Sequence, residues 1–65
     1  MNVNLLKAKM VQNEYTIGKM AKLLGLNPST LGIKMRTDGF KVTEARQIAK
    51  ALNLTSAETE DIFFA

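Results

Sequence analysis

Cysteine, histidine and tryptophan are absent from this sequence of 65 residues, and proline occurs once. Without cysteine and histidine, the chain can form neither a disulfide nor a zinc site built from thiolate or imidazole ligands. It also lacks the side chains that most often act as nucleophile or general base. The serine, threonine, lysine and carboxylate residues that remain are scattered without a paired arrangement. We therefore expect no enzyme, no catalytic residue, no metal, no cofactor and no small-molecule substrate.

Long hydrophobic runs are missing as well. The longest apolar stretches are a few residues long, whereas a membrane span needs about 20, and the first residues lack the basic-then-apolar layout of a signal peptide. These absences predict a soluble, cytoplasmic protein without a membrane partner. The length allows one domain, over residues 1–65. Its small core must be supported by close helix packing, by a second subunit or by both.

Helix-forming residues recur at spacings of three and four, and the alternation typical of strands is absent. The first helix is predicted from about Val3 to Asn13, with Asn2 or Asn4 as its N-cap. The second helix begins after Thr16, whose hydroxyl can accept from the amides of the first turn. It ends at Gly25, because glycine adopts the left-handed conformation past a helix end without steric cost.

The third helix is predicted to begin at Asn27 and Pro28, an N-cap followed by a first helical position that tolerates proline. After it, a turn is expected with Gly39 in the left-handed conformation. Thr43 is predicted to cap the fourth helix. A capping box starts the fifth helix, at Thr55-Ser56-Ala57-Glu58. Five short helices joined by short turns predict an all-α fold, a compact orthogonal bundle.

One segment carries the most specific spacing in the chain. Ala21 stands four residues before Gly25, and Leu26 follows at once. The small side chain of Ala21 lets the next helix pass closely, glycine lets the chain reverse, and Leu26 covers the core at the turn. The next helix would then bury Leu31 and Met35. This arrangement is typical of two helices that cross steeply over a short turn, a helix-turn-helix.

The stretch from Thr16 to Met35 resembles the helix-turn-helix of the Cro and lambda-repressor-type phage regulators. The whole chain is similar to small Cro-like proteins of Gram-positive phages. The resemblance implies a lambda-repressor-like fold and a dimeric transcriptional repressor that binds double-stranded operator DNA in a bacterial or phage-infected host cell. It also implies that the helix beginning at Pro28 is the recognition helix and enters the major groove. Two positions depart from the family pattern: Lys34 replaces a commonly apolar residue, and Gly32-Ile33 replace the usual polar side chains.

Charge is unevenly distributed along the chain. Residues 1–36 hold six basic side chains and one acidic side chain, a net charge of +5, whereas residues 37–65 hold three basic and five acidic ones, a net charge of −2. A helix-turn-helix needs such an excess because phosphate contacts supply much of the affinity and set the register. The alternative interpretation of this charge is that the lysines contact no DNA and only keep helix surfaces solvated. The residues expected to contact phosphate flank the recognition helix: Thr16, Lys19, Lys22, Arg36 and Lys41.

By the resemblance, base edges meet the start of the recognition helix and the residues one turn later: Asn27, Pro28, Ser29, Gly32 and Ile33. Ser29 can bond to several bases, and Ile33 can contact only a thymine methyl group. Asn27 also serves as the N-cap, which would occupy its side chain. A glycine such as Gly32 lowers helix stability by about 1 kcal/mol relative to alanine inside a helix. Two explanations for its presence are open: DNA approaches the backbone closely here, or this helix is simply less stable than it could be. Because so few of these side chains can form hydrogen bonds to bases, we expect modest sequence specificity, with the shape and deformability of the operator DNA supplying part of the discrimination.

The predicted homodimer interface lies near the end of the chain and comprises Ile62, Phe63 and Phe64. Consecutive helical side chains point about 100° apart, so the two phenylalanines cannot share one narrow face. We expect one to pack on the core and the other to contact a second subunit, at least on DNA. In an alternative class of function, Ile33 and the terminal phenylalanines bind another protein, and the chain is a small helical protein–protein interaction module.

Overall fold

Five α-helices make up most of the chain in the computed structural model, which describes residues 1–64. They are α1 (Val3–Gln12), α2 (Ile17–Leu24), α3 (Pro28–Thr37), α4 (Val42–Ala51) and α5 (Ser56–Phe63). The helices pack into a body of 28 × 23 × 20 Å. No strand occurs among the described residues, and the predicted all-α bundle of five short helices is confirmed. None of the helices in residues 1–64 has the length and apolar character that crossing a membrane requires.

The centre of the core consists of one fully buried large side chain from each helix: Leu6, Met20, Leu31, Ile48 and Ile62. Further buried residues complete this cluster: Met10, Ala21, Met35 and Leu52. Because every helix contributes a side chain to the same small cluster, loosening one helix disturbs the packing of that shared core. The position of α3 therefore depends on the whole bundle.

The helix-turn-helix consists of α2, α3 and the turn between them, and its predicted local signals are confirmed. Thr16 caps α2, where its Oγ1 accepts a hydrogen bond from the Lys19 amide at 3.1 Å. Gly25 ends α2 in the left-handed conformation with φ of 71°. Asn27 caps α3, where its Oδ1 accepts from the Thr30 amide at 2.8 Å. The start and orientation of α3 are thus set within a few residues of the turn.

The turn between α3 and α4 differs from the prediction. Asp38, and not Gly39, adopts the left-handed conformation, with φ of 55°, because aspartate tolerates this region better than most residues. The close packing around position 39 favours glycine there for a different reason. A Cβ on Gly39 would lie 3.1 Å from the hydroxyl oxygen of Thr37, so the chain passes too closely here for a larger residue without some adjustment.

Both α4 and α5 start with a glutamate that accepts a hydrogen bond from the backbone amide of the N-cap residue. In α4, Glu44 Oε1 accepts from the Lys41 amide at 2.8 Å. The prediction that Thr43 caps α4 is wrong, because Thr43 lies inside the helix and Glu44 satisfies the first amide instead. In α5 the predicted capping box is confirmed: the Thr55 amide donates to Glu58 Oε1 at 2.9 Å, and the Glu58 amide donates to Thr55 Oγ1 at 3.1 Å.

Contacts between α1 and α5 close the bundle. Lys9 in α1 forms an ion pair with Glu58 at the start of α5, and the Asn2 amide donates to the Ile62 carbonyl at 2.7 Å. The Lys9 ammonium and the Thr55 amide lower the pKa of the Glu58 carboxyl. The first and last helices of the bundle are therefore joined near the start and near the end of α5.

Replacing Leu31 with alanine tests how far the fold depends on the shared core. The change removes a fully buried side chain and should lower the free energy of unfolding by about 2–5 kcal/mol, comparable to the total that a core of this size supplies. Urea denaturation followed by circular dichroism measures the loss. Ile33→Ala, on the exposed side of the same helix, should change the free energy by less than about 0.5 kcal/mol. Equal losses in the two variants would contradict this account of α3.

Candidate nucleic-acid interface

Helix α3 turns one face to the core and the opposite face to solvent. Leu31 and Met35 are buried. Ser29, Ile33 and Arg36 follow one another at spacings of four and three residues and lie together on the exposed side. Ile33 stands in the middle of the three, with 50% of its surface exposed. We refer to Ser29, Ile33 and Arg36 as the outer stripe of α3.

Apart from Thr30, which is half-buried, the other polar side chains at α3 are held by the protein itself. Asn27 caps the helix, the Thr37 hydroxyl donates to a backbone carbonyl of α3 at 2.8 Å, and Lys34 pairs with a carboxylate of α4. Ser29 and Arg36 are exposed, and within residues 1–64 no such partner holds their side chains. The outer stripe is therefore the part of α3 that can bind a ligand without breaking a contact of the fold.

The five residues predicted to contact bases occupy the N-cap and the first two turns of α3. Pro28, Ser29 and Ile33 are exposed, and Gly32 is half-buried beside the outer stripe. A Cβ on Gly32 would meet only the Arg36 guanidinium, at 4.0 Å, so packing within the protein does not require glycine here. An open groove runs past this position between α1, α2 and α3, lined by Val3, Lys7, Ile17, Gly32, Met35 and Arg36.

Basic side chains are also exposed on α2, the helix that packs against α3. Lys19 and Lys22 are three residues apart and share the exposed side of α2. The Lys19 ammonium lies 4.5 Å from the centroid of the Tyr15 ring, a cation–π contact that restrains its position. The Thr16 hydroxyl is occupied in capping α2. All five residues predicted to contact phosphate are exposed: Thr16, Lys19, Lys22, Arg36 and Lys41.

A partly buried ion pair that sequence reasoning missed fixes the end of α3. Lys34 Nζ lies 3.1 Å from Glu44 Oε1 and 3.4 Å from the Gly39 carbonyl oxygen. The same carboxylate oxygen accepts from the Lys41 amide, so one glutamate joins the last turn of α3 to the first turn of α4. Ten residues separate Lys34 from Glu44, and no local spacing rule could have paired them. The pair explains how a lysine occupies a position that is commonly apolar.

Opposing effects set the pKa of Glu44. Burial alone would raise this pKa, whereas the hydrogen bonds from the Lys41 amide and the Lys34 ammonium lower it, and together they hold it below its usual value. The carboxylate is therefore charged at neutral pH. Because the folded pKa is lowered, the ion pair stabilises the fold above the usual carboxyl pKa, and this contribution is lost as the pH falls through the lowered value.

Of the three residues predicted to form a dimer interface, one is buried, one is half-buried and one is exposed. Ile62 is 0% exposed; it points from α5 into the core and has no surface for a partner, which corrects the prediction for this residue. Phe63 is half-buried and packs edge-on against Phe40, with ring centroids 5.9 Å apart. Phe64 is 62% exposed. An open notch adjoins it, lined by Leu54, Ser56, Thr59, Glu60 and Phe64.

Replacing Glu44 with glutamine tests the ion pair at the end of α3. The change keeps the shape but leaves the Lys34 ammonium without its partner, so we expect the free energy of unfolding at neutral pH to fall by about 1–3 kcal/mol. The unaltered protein should lose stability as the pH falls below the usual carboxyl pKa and through the lowered pKa of Glu44, and Glu44→Gln should lose less over the same range. Denaturant titrations across pH measure both effects. Glu60→Gln, at an exposed position of α5, is the control, and identical pH profiles for the two variants would disprove the role of Glu44.

The segment that holds this surface also matches a known family. The family described as bacterial regulatory protein, Fis family, matches residues 4–37, slightly more than half of the 65 residues. The match runs from the second residue of α1 to the last residue of α3, so it includes the helix-turn-helix and the outer stripe. It is not specific to regulators of the Cro or lambda type. No curated protein and no solved structure matches the sequence. The chain thus belongs to the Fis family of bacterial regulatory proteins and is a DNA-binding helix-turn-helix regulator of transcription.

Proposed function

We propose that the protein is a transcriptional repressor of the Cro type, which occupies operator DNA as a dimer and excludes RNA polymerase from a promoter. In this proposal α3 enters the major groove with its outer stripe toward the bases. The observation that carries it is the exposed outer stripe on a helix of a DNA-binding family, together with the exposed Lys19 and Lys22 on the preceding helix α2. Residues 1–65 act as one domain in the cytoplasm of a bacterium or of a phage-infected host, and bind without catalysing a reaction.

The base contacts in this proposal come from the start of α3. Ser29 offers a hydroxyl in the first turn, and Ile33 offers an apolar surface one turn later. Asn27 uses its Oδ1 as a cap, which leaves the Nδ2 group as a donor. Pro28 is exposed at the start of α3. Gly32 lets DNA approach the backbone beside the outer stripe. With few hydrogen-bonding groups available, part of the discrimination comes from operator shape.

The phosphate contacts come from the residues around α3: Thr16, Lys19, Lys22, Arg36 and Lys41. The cation–π contact with Tyr15 reduces the freedom that the Lys19 ammonium loses on binding. Lys34 takes no part, because its ammonium is paired with Glu44. The net charge of +5 over residues 1–36, the part of the chain that holds the helix-turn-helix, supports DNA binding.

The dimer contact comes from the end of α5. Phe64 is exposed beside an open notch, and Phe63 supports it, with ring centroids 6.4 Å apart. Glu60 and Asp61 lie on the same helix, and their negative charge disfavours DNA there. Burial of Phe64 against a second copy would also add to the stability of a fold with a small core.

A protein–protein interaction module is the second candidate function. Three exposed apolar side chains favour it, since another protein could cover them: Val11, Ile33 and Phe64. Binding of this kind would depend little on salt, and duplex DNA would not compete with the partner. These two properties distinguish it from the repressor.

Titration of duplex DNA at several salt concentrations tests the repressor proposal directly. A dimer that contacts about eight phosphates should give a slope near −7 when log affinity is plotted against log salt concentration. Lys22→Ala should weaken binding to every sequence by a similar factor and make the slope less steep by about 2, one contact from each subunit. Lys50→Ala, in the last turn of α4, is the matched control and should leave the slope unchanged. Affinity that does not respond to salt would sink the proposal.

Replacing Phe64 with alanine tests the dimer contact. Sedimentation with a duplex that carries two half-sites should show two copies of the unaltered chain bound cooperatively. Phe64→Ala should lose the cooperativity while its affinity for a single half-site is unchanged, because the residue is the C-cap of α5, a helix outside the proposed DNA contact. Val11→Ala removes a comparably exposed apolar side chain from α1 and should have no effect. Cooperative binding that survives in Phe64→Ala would rule out this interface.

A further inference from the structure

The middle of the outer stripe is occupied by Ile33, whose side chain cannot form a hydrogen bond. Half of its surface is exposed, and it is not among the residues that pack against the core. The other large apolar residues that are exposed in residues 1–64 all lie outside α3: Val11, Ile17, Leu23, Val42 and Phe64. Ile33 is thus the exposed large apolar side chain of α3, and the fold leaves half of its surface uncovered.

The neighbours of Ile33 leave room for a surface to approach it. Gly32 presents no side chain next to it. The Thr37 hydroxyl donates to the Ile33 carbonyl, so it points to the backbone and does not surround the side chain. Ser29 and Arg36, which flank Ile33 on the outer stripe, are exposed. A flat apolar group could therefore cover Ile33 without displacing any contact described above.

The major groove of DNA exposes one apolar group, the C5 methyl of thymine, and an aliphatic side chain is complementary to it. We propose that Ile33 is a specificity-determining residue that recognises this methyl group, so that each operator half-site carries a thymine opposite Ile33. The inference rests on the proposed function, since it requires α3 to lie in the major groove. Ser29, four residues before Ile33, lies about 6 Å away along the helix axis, so it faces a base pair one or two steps from that thymine.

Deoxyuridine substitution tests the inference, because deoxyuridine lacks only the C5 methyl group of thymidine. A duplex is first selected from a random pool by the full-length chain, and each of its thymidines is then replaced singly by deoxyuridine. At the thymine facing Ile33, the unaltered chain should lose about fourfold in affinity for one half-site and about 15-fold for both, the effect of one buried methyl group at each. Replacing that thymidine by 5-methyldeoxycytidine should give tighter binding than replacing it by deoxycytidine, by a similar factor.

The variant Ile33→Ala separates contact with the methyl group from an effect of the methyl group on DNA shape. It should bind the thymidine and deoxyuridine duplexes equally, whereas Val11→Ala should discriminate between them as the unaltered chain does. The inference fails if every deoxyuridine substitution changes the affinity of the unaltered chain by less than about 1.5-fold, or if Ile33→Ala keeps the full sensitivity. Either result leaves the proposed function standing, provided that a sequence was selected. Failure to select any sequence overturns the proposed function and the inference together.

Discussion

The burial of Leu31 and Met35 is the constraint on which the rest of the structure depends. Both side chains lie in a core to which every helix contributes, and a close-packed interior allows α3 only the rotation about its axis that keeps both of them inside. That rotation places Ser29, Ile33 and Arg36 outward. The residues that hold the fold together and the residues that can face a ligand therefore alternate along one helix of ten residues. A change in the packing of α3 would also change which of its side chains are exposed.

Electrostatic contacts divide the basic residues into two groups with different roles. Lys9 and Lys34 pair with Glu58 and Glu44, so two of the six basic side chains in residues 1–36 hold helix ends in place. Both acidic partners come from the second half of the chain. The uneven charge of the sequence is thus partly neutralised by the fold. The excess that remains available includes the exposed Lys19 and Lys22 on α2, the helix that packs against α3.

Sequence reasoning succeeded where a residue acts on its own neighbours. The caps at Thr16, Asn27 and Thr55 and the left-handed Gly25 depend on three or four consecutive residues, and the structure has each of them. It failed at one turn and where distant parts of the chain decide. Asp38 takes the left-handed conformation expected of Gly39, since aspartate also tolerates that region. Glu44 accepts from the amide at the start of α4, where Thr43 was expected to be the cap, and pairs with Lys34 ten residues away. Ile62 turns inward to a core that no local pattern could position. For the site, the sequence predicted α3, but which of its side chains are free became clear only from their partners in the structure.

Intermolecular nuclear Overhauser effects between the protein and a selected duplex test the central claim, that the outer stripe of α3 faces the bases in the major groove. The account predicts contacts from the Ile33 methyl groups and the Ser29 side chain to major-groove protons, including a thymine methyl, with none from Leu31. Contacts confined to α4 or α5, or a complex in which Ile33 gives no contact to DNA, would contradict it.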